Sequence, residues 1–413
     1  MLVAIAACSA LLAASASAAG QAGADWPQFR GPNRDLICDE TGLLQAWPEE
    51  GPPLVWKASG FGQGYSSVSI AMGLIFTQGH FGGEEKLIAA EEATGKPLWS
   101  VALGPAAEVS LPGARGTPTV DGDRVYAQTV DGVVACVDIR TQQVVWHRQM
   151  RDEFKGQGGH FGYCESPLVD QCRVICTPGG TASTLVALDK HTGKTIWTAP
   201  VPDVGAASYS SAIVAQTGSV RQYVQVVHAT VLGVRASDGA LLWREASGAN
   251  KMANCTTPVY HDGHVFSASA YEQGGALVRL KPSGDKCGAE LVYHTKAMKN
   301  HHGGFLVWDG HIYGADESVL TCLNFLTGKV AWENRSVGKG AVLYADGRIY
   351  LRSKAGPIAL LEATPEAYRE TGRFEQPNRS EENAWAYPVI AGRKLYLRDQ
   401  DILLCYDLAA GEE

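Results

Sequence analysis

Two glycine-rich stretches carry the side chains best suited to chemistry in this 413-residue chain. Gly159–Ser166 reads GHFGYCES and contains Glu165, and Lys299–Gly304 reads KNHHGG and contains His302. Glycine lets the backbone approach a bound molecule closely. Glu165 or His302 could act as a general base near neutral pH in a partly desolvated site. These two are the candidate catalytic residues if the protein is an enzyme.

A metal site is a second interpretation of the same region. A histidine–carboxylate set could be drawn from His80, His160, His302 and Glu165. Spacing alone does not bring these side chains together, and Glu165 could instead pair with Arg115. Neighbouring residues on a strand face opposite ways, so His301 and His302 are not expected to share one ion. We therefore predict no metal site.

A short phrase that ends in Trp recurs along the chain about every 40 to 50 residues. It runs from a small residue through a polar residue and a turn to the Trp, and Ala187–Trp197 (ALDKHTGKTIW) is the clearest copy. A period of this size indicates a repeat architecture. We expect the tryptophans to pack between repeats as structural residues. They are Trp56, Trp99, Trp146, Trp197, Trp243 and Trp332.

A second phrase precedes the Trp phrase, as in Pro118–Tyr126 (PTVDGDRVY). An Asp-Gly turn between two β-rich runs predicts a hairpin. Each repeat therefore contains about four short strands, with no room for the paired helices of helical repeat proteins. This pattern is typical of a β-propeller blade.

The two ends of the chain carry complementary halves of a repeat. Trp56 has no hairpin before it, and the C-terminal LLCYDLAAG stops before any Trp. Joining both halves in one blade removes two free sheet edges. With degenerate copies near Tyr293 and Phe374, we predict an all-β, eight-bladed β-propeller of four-stranded blades, closed by the N-terminal strand in the last blade. Seven blades are the alternative if one degenerate copy is not a blade.

The predicted domains are a secretory signal peptide at 1–19, an N-terminal extension at 20–50 that packs on the propeller, and a single propeller domain at 51–413. The apolar start of the chain ends in Ala16-Ser17-Ala18, a small-x-small cleavage pattern. Cys8 lies too early in this run for a lipoprotein, and no later segment is long enough for a transmembrane anchor. We expect a secreted or periplasmic monomer. A net charge of −8 argues against nucleic acid as a partner.

Three cysteines occupy the position at which other repeats have alanine. Cys136, Cys322 and Cys405 align with Ala187 of the clearest copy. We expect them to be small, buried, reduced residues. The pairing of the other cysteines is left open.

The repeat phrase resembles that of the PQQ-like β-propellers, which include quinoprotein dehydrogenases and the scaffold BamB. The resemblance is carried by Ala187–Trp197 and Cys322–Trp332 and covers about residues 50–410. Trp26–Asp35 (WPQFRGPNRD) resembles the start of secreted planctomycete-type members. The repeat belongs to the blade architecture and leaves the cofactor pocket undefined.

For the dehydrogenases of this family, the resemblance implies PQQ stacked between a Trp and a disulfide of adjacent cysteines. A calcium ion is held beside it by Glu, Asn and Asp. The chain has no adjacent cysteines and is shorter than such enzymes. We therefore expect no cofactor and interpret the protein as an exported, non-enzymatic binding or scaffold protein of the cell envelope, with a protein or glycan partner. The alternative is a PQQ-dependent alcohol or sugar dehydrogenase that uses PQQ and calcium.

Loops that precede the innermost strands of a propeller gather at one mouth of its channel. We predict a ligand site there for a polar or anionic guest, with Trp385 as a stacking face. Its residues are Arg115, Glu165, Tyr209, His302, Lys339 and Trp385.

Overall fold

The computed structural model describes residues 25–411, so the predicted signal peptide at 1–19 lies outside the described residues. Eight β-sheets follow one another along the chain. The innermost strands of most successive sheets contact each other around the centre of the ring. The protein is an eight-bladed β-propeller, as the repeat pattern predicted.

Most blades are built from four strands that are consecutive in the chain. Two strands precede the first complete blade, β1 (Ile37–Cys38) and β2 (Leu54–Ser59). Blade one is β3 (Ser69–Ala71), β4 (Leu74–Phe81), β5 (Glu84–Glu91) and β6 (Pro97–Pro105). Blade two is β7 (Thr119–Asp121), β8 (Arg124–Gln128), β9 (Val133–Asp138) and β10 (Gln143–Gln149), followed by helix α1 (Met150–Phe154). Blade three is β11 (Leu168–Asp170), β12 (Arg173–Cys176), β13 (Leu185–Asp189) and β14 (Thr195–Ala199). Blade four is β15 (Ile213–Thr217), β16 (Val220–Val227), β17 (Thr230–Arg235) and β18 (Leu241–Glu245).

Blade five is β19 (Val259–His261), β20 (His264–Ser269), β21 (Gly274–Ser283) and β22 (Lys286–Thr295). Blade six is β23 (Phe305–Trp308), β24 (His311–Asp316), β25 (Val319–Asn324) and β26 (Val330–Asn334). Blade seven is β27 (Gly340–Ala345), β28 (Arg348–Ser353), β29 (Ile358–Glu362) and β30 (Glu370–Phe374). Blade eight is β31 (Val389–Ala391), β32 (Lys394–Asp399) and β33 (Ile402–Asp407), completed by β2.

The ring is closed as the two half-motifs predicted. Strand β2 pairs antiparallel with β33, and Trp56 lies opposite Cys405. The degenerate copies near Tyr293 and Phe374 are the outer strands of blades five and seven. The seven-blade alternative is therefore wrong.

Each outer aromatic side chain packs against the next blade. The Trp197 indole donates a 3.1 Å hydrogen bond to the Ala236 carbonyl of blade four. A Cβ on Gly239, which has φ +75°, would lie 2.5 Å from the same ring, so only glycine fits. The same aromatic–glycine contact is made by Trp56 with Gly95, Trp146 with Gly193, Tyr293 with Gly328 and Phe374 with Gly51.

The N-terminal extension lies inside the ring. Trp26 pairs with Ile70 on the innermost strand of blade one. Strand β1 adds in parallel to β27, so blade seven has five strands where four were predicted. Further along the extension, Trp47 packs outside the channel against Tyr350 and Phe374 of blade seven. The extension thus fills the channel along its innermost strands.

The cysteines of the described part are all free. Cys136, Cys322 and Cys405 are fully buried, as their repeat position predicted. Helix α1 has five residues. Among residues 25–411, no helix has the length and apolar character needed to cross a bilayer.

Candidate functional site

A cavity of about 310 Å³ occupies the mouth of the channel, where the loops before the innermost strands meet. We call it the cup. Its wall and floor come from seven of the eight inter-blade loops, from the turn between β20 and β21, and from the N-terminal extension. They consist of Phe29, Tyr65, Ser67, Leu111, Arg115, Thr117, Phe161, Cys164, Ser166, Tyr209, Ser211, Ala253, Cys255, Tyr271, His301, His302, Trp385 and Tyr387.

Hydroxyl groups link successive blades at the floor of the cup. The backbone N–H of Ser67 donates to the Thr117 hydroxyl at 3.1 Å, and that of Thr117 donates to the Ser166 hydroxyl at 2.9 Å. The chain continues from Ser166 to Ser211 at 2.9 Å and from Ser211 to Thr257 at 3.1 Å. Each hydroxyl thereby satisfies a buried backbone donor of the preceding blade.

Sequence reasoning missed this hydroxyl chain, although a signal for it exists. A Ser or Thr stands directly before the inner-strand phrase at Thr117, Ser166 and Thr257, each followed by proline. The recognised phrase begins at that proline. The recurring hydroxyl residue one position earlier therefore fell outside it.

Arg115 reaches the cup with few partners. Its guanidinium donates to the Leu111 carbonyl and lies 5.4 Å from the Tyr65 ring centre and 5.8 Å from that of Phe161. Its Nε is buried without a hydrogen-bond partner, and among the described residues no carboxylate pairs with it. The pair with Glu165, considered as an alternative from the sequence, is therefore not formed. A cation between aromatic faces is held in place and left able to bind an anion.

Trp385 and His302 form a stacked pair in the wall, with ring centres 4.6 Å apart and planes 14° apart. Tyr65 lies 4.9 Å from Trp385 at a tilt of 43°. The predicted stacking face of Trp385 is thus partly covered by His302. The Trp385 indole N–H and Nδ1 of His302 are both buried, and neither has a hydrogen-bond partner among the described residues.

The two adjacent histidines lie side by side. Their ring centres are 4.0 Å apart, because 301–302 is a loop and lacks the alternation of a strand. The expectation that they face opposite ways is therefore wrong. Burial lowers the pKa of His301 to about 4 and that of His302 well below its usual value, and the Lys339 charge adds to both shifts. Both imidazoles are neutral at neutral pH.

Glu165 lies outside the cup, contrary to the prediction. Its carboxylate accepts hydrogen bonds from the Thr177 N–H at 2.7 Å, the Thr177 hydroxyl at 2.9 Å and the Gln225 amide at 3.0 Å. The residue is 2% exposed. Burial raises its pKa to about 7, against those hydrogen bonds and the charge of Arg34. The reason is alternation: Cys164 and Ser166 face the cup, so Glu165 between them faces the blade interior.

The remaining candidates divide between the wall and its surroundings. Tyr209 lines the cup, and its hydroxyl accepts from the Phe161 N–H at 3.4 Å. Lys339 lies behind the wall, where its ammonium donates to His301 Nδ1 at 2.7 Å. Burial lowers the pKa of Lys339. The structure therefore brings Arg115, Tyr209, His302 and Trp385 together, with Lys339 one contact away.

The histidine–carboxylate set considered from the sequence does not assemble. His80 pairs with Glu85 at 3.2 Å in blade one. His160 lies on the surface near the Ser110 hydroxyl at 3.4 Å. A different set of metal-binding groups does converge: one ligand atom each of Cys255, His301 and His302 lies within 4.8 Å of the others.

The floor of the cup rests on the N-terminal extension. Arg34, 3% exposed, donates to the Ser166 carbonyl at 3.1 Å and the Ala212 carbonyl at 3.0 Å. Arg30, 1% exposed, donates to the Thr257 and Phe305 carbonyls, both at 2.9 Å. These arginines join the inter-blade loops from below and close the channel under the cup.

Two solved structures show the similarity of the fold. BamB from Moraxella catarrhalis superposes with a TM-score of 0.62 and 13% identity, covering 86% of this chain and 100% of that one. Quinohemoprotein alcohol dehydrogenase from Comamonas testosteroni gives a TM-score of 0.66 and 12% identity, covering 94% and 81%. Identities this low show the fold alone.

Sequence comparison gives a relative and a family. Quinohemoprotein alcohol dehydrogenase ADH IIB from Pseudomonas putida is 29% identical over 120 residues, which cover 27% of this chain and only 17% of the enzyme. The model of the family described as outer membrane protein assembly factor BamB matches residues 41–161 and 83–317. Because these matches span more than half of a chain that folds as an eight-bladed propeller, the protein belongs to this family of PQQ-like β-propellers.

Proposed function

We propose that the protein is an exported, non-enzymatic binding protein of the cell envelope, and that its cup binds a small ring that carries a carboxylate. One observation carries the proposal. The Arg115 guanidinium lines the cup and makes one hydrogen bond, to the Leu111 carbonyl, with no carboxylate partner among the described residues. A guanidinium with unused donors favours an anionic guest, whose oxygens would accept hydrogen bonds from it.

The charges around the cup support an anion. Arg115 is in the wall and Lys339, which pairs with Glu317 at 3.5 Å, stands behind His301, whereas the lining contains no Asp or Glu. Both histidines are neutral at neutral pH and do not oppose either sign of charge. A carboxylate within reach of Arg115 gains a charge-assisted hydrogen bond in a site with little competing water.

The shape and lining of the cup support a ring. Its volume of about 310 Å³ lies at the small end of ligand-binding cavities. Phe161 and Tyr209, 5.7 Å apart, offer aromatic faces across the wall from Trp385. The hydroxyls of the floor can hydrogen bond to a sugar. An acidic sugar at the end of a glycan and an aromatic acid share this chemistry.

Export and the envelope location rest on the start of the chain and on the family. The apolar segment at 1–19 resembles a secretory signal. The matched family is described as an outer membrane protein assembly factor. A protein partner would dock on the outer loops of the blades, separate from the cup.

The second candidate function is a PQQ-dependent alcohol or sugar dehydrogenase, favoured by the similarity to ADH IIB. The residues of the cup do not fit the calcium-bound cofactor of that family. No Glu, Asp or Asn is among the lining residues, so the usual calcium ligands are missing. Cys164 and Cys255 both line the cup, but they come from different loops.

Ligand binding to the purified protein tests the proposal. The probes are galacturonate, its neutral parent galactose, benzoate, and PQQ with and without calcium, measured by melting temperature and Trp fluorescence. We expect at least one carboxylate ring to raise the melting temperature and galactose to have no effect. Equal binding of galactose, or oxidation of an alcohol by the protein loaded with PQQ and calcium, would overturn the proposed function.

A further inference from the structure

A cysteine and two histidines converge at one side of the cup. Cys255 lies in the loop before blade five, and His301 and His302 lie in the loop before blade six. One ligand atom of each lies within 4.8 Å of the others, and all three line the cavity. All three therefore border the space that an ion entering the mouth would occupy.

One nitrogen of the cluster also lacks a hydrogen-bond partner. Nδ1 of His302 is buried without a hydrogen-bond partner in the part of the chain that the structure describes. The stacking of His302 on Trp385 fixes the plane of this ring. His301 Nδ1 lies 2.7 Å from the Lys339 ammonium and Nε2 lies 3.2 Å from the hydroxyl of the half-exposed Tyr271, so an ion bound to His301 takes the place of one of these two partners. The donors are thus preorganised on two rigid loops.

We propose that Cys255, His301 and His302 form a binding site for a copper(I) ion in the wall of the cup. A thiolate with two imidazoles suits copper or zinc and does not suit calcium or magnesium. Structural zinc sites normally have four protein ligands, whereas this cluster supplies three. This site goes beyond the proposed function, because it requires no organic ligand.

The surrounding charges select the monovalent ion. Lys339 lies 2.7 Å from His301 Nδ1 and pairs with Glu317 at 3.5 Å, and Arg115, which has no carboxylate partner among the described residues, is also close to the cluster. On binding, the Cys255 thiol gives up its proton to solvent, and the copper(I)–thiolate pair is neutral. A zinc(II)–thiolate pair keeps one positive charge beside the two cations, which costs more in a poorly solvated site. The oxidation state of the ion does not change on binding.

Anaerobic titration with copper(I), kept reduced by ascorbate and in competition with bicinchoninate, tests the site. We expect one ion per chain and an X-ray absorption spectrum with one sulfur and two nitrogen neighbours. Cys255→Ser should weaken binding by more than about 100-fold. Loss of a residue that only supports a ligand costs about 10- to 100-fold in metal affinity, and loss of a ligand itself should cost more. Cys172→Ser is the matched control, since Cys172 is an exposed free cysteine outside the cup, and it should leave the affinity unchanged.

Several results would overturn the site. They are unchanged copper(I) affinity in Cys255→Ser, a spectrum without sulfur, or tighter binding of zinc(II) than of copper(I). His302→Gln is the second variant, and it should also lose the ion if Cys255→Ser proves unstable. Carboxylate-ring binding measured on Cys255→Ser without metal separates the copper site from the proposed function.

Discussion

The two ends of the channel use arginine in opposite ways. Under the floor, Arg34 and Arg30 are almost fully buried, and each donates several hydrogen bonds to backbone carbonyls of neighbouring blades. In the cup, Arg115 makes one such hydrogen bond and otherwise rests between aromatic rings. The number of bonded acceptors distinguishes an arginine that holds the ring together from one that is available to a guest.

The largest effect should follow from removing the start of the chain. Deleting residues up to Lys57 removes the extension and four of the six residues of β2, so β33 becomes an exposed edge. We expect unfolding or aggregation, seen by size-exclusion chromatography and thermal melts. A deletion up to Asp25 is the control and should behave as the full mature chain. A monomer with an unchanged melting temperature after the longer deletion would show that the closing strand is not needed.

The next largest effect on stability should come from Arg34, compared with Arg115. Arg34→Met leaves several buried carbonyl groups without donors and should cost about 3–5 kcal/mol of unfolding free energy. Arg115→Met loses one hydrogen bond and its cation–π contacts and should cost about 1 kcal/mol. Denaturant melts of both variants measure the difference. Similar losses would remove the distinction between the two ends of the channel.

Replacing Trp197 measures how much the packing between blades at the periphery of the ring contributes to stability. Trp197→Ala should cost about 3–5 kcal/mol, as for other buried aromatic truncations. The side chain is 8% exposed and covers Gly239 of the next blade. Denaturant melts measure this loss too, and Leu98→Ala is an exposed outer-strand control that should change little. A loss below about 1 kcal/mol for Trp197→Ala would contradict inter-blade packing.

A smaller effect is the contribution of Glu165 to the pH dependence of the unfolding free energy. Its pKa in the folded state is raised to about 7 by burial, so the folded state keeps a proton that the unfolded state loses. Stability from this group is therefore present at pH 4.5 and is lost as the pH rises to 7, by at most about 1.4 kcal/mol per pH unit. Unfolding free energies of Glu165→Gln at pH 5 and pH 7.5 should lack this loss. An identical pH slope in the wild type and in Glu165→Gln would be inconsistent with the burial of an ionisable group at this position.

The fold was predictable from the sequence because the repeat is local. The Trp phrase, the Asp-Gly hairpin and the split motif at Trp56 and Cys405 depend on residues close together or on ring closure, and all appear in the structure. The position of the N-terminal extension inside the ring was not predicted. Its contacts join Arg30 to residues more than 220 positions away, and no local pattern records them.

The candidate site was predicted in part for the same reason. Ring closure brings Arg115, Tyr209, His302 and Trp385 together, as their position before inner strands indicated. Side-chain direction in these loops varies: residues 164–166 alternate as in a strand, whereas 301 and 302 lie side by side. Glu165 was therefore wrongly expected in the cup, and His301 was wrongly separated from His302. Cys255 was passed over because a single cysteine in the sequence does not reveal its neighbours.

The most direct test of the account is the affinity of Arg115→Gln for the carboxylate ring that binds the wild type most tightly. Isothermal titration calorimetry should show binding weakened by about 10- to 100-fold, as expected for one lost charge-assisted hydrogen bond. Arg369→Gln, which changes an arginine on the outer surface, should bind as the wild type does. Unchanged affinity in Arg115→Gln would contradict the claim that the cup recognises an anion.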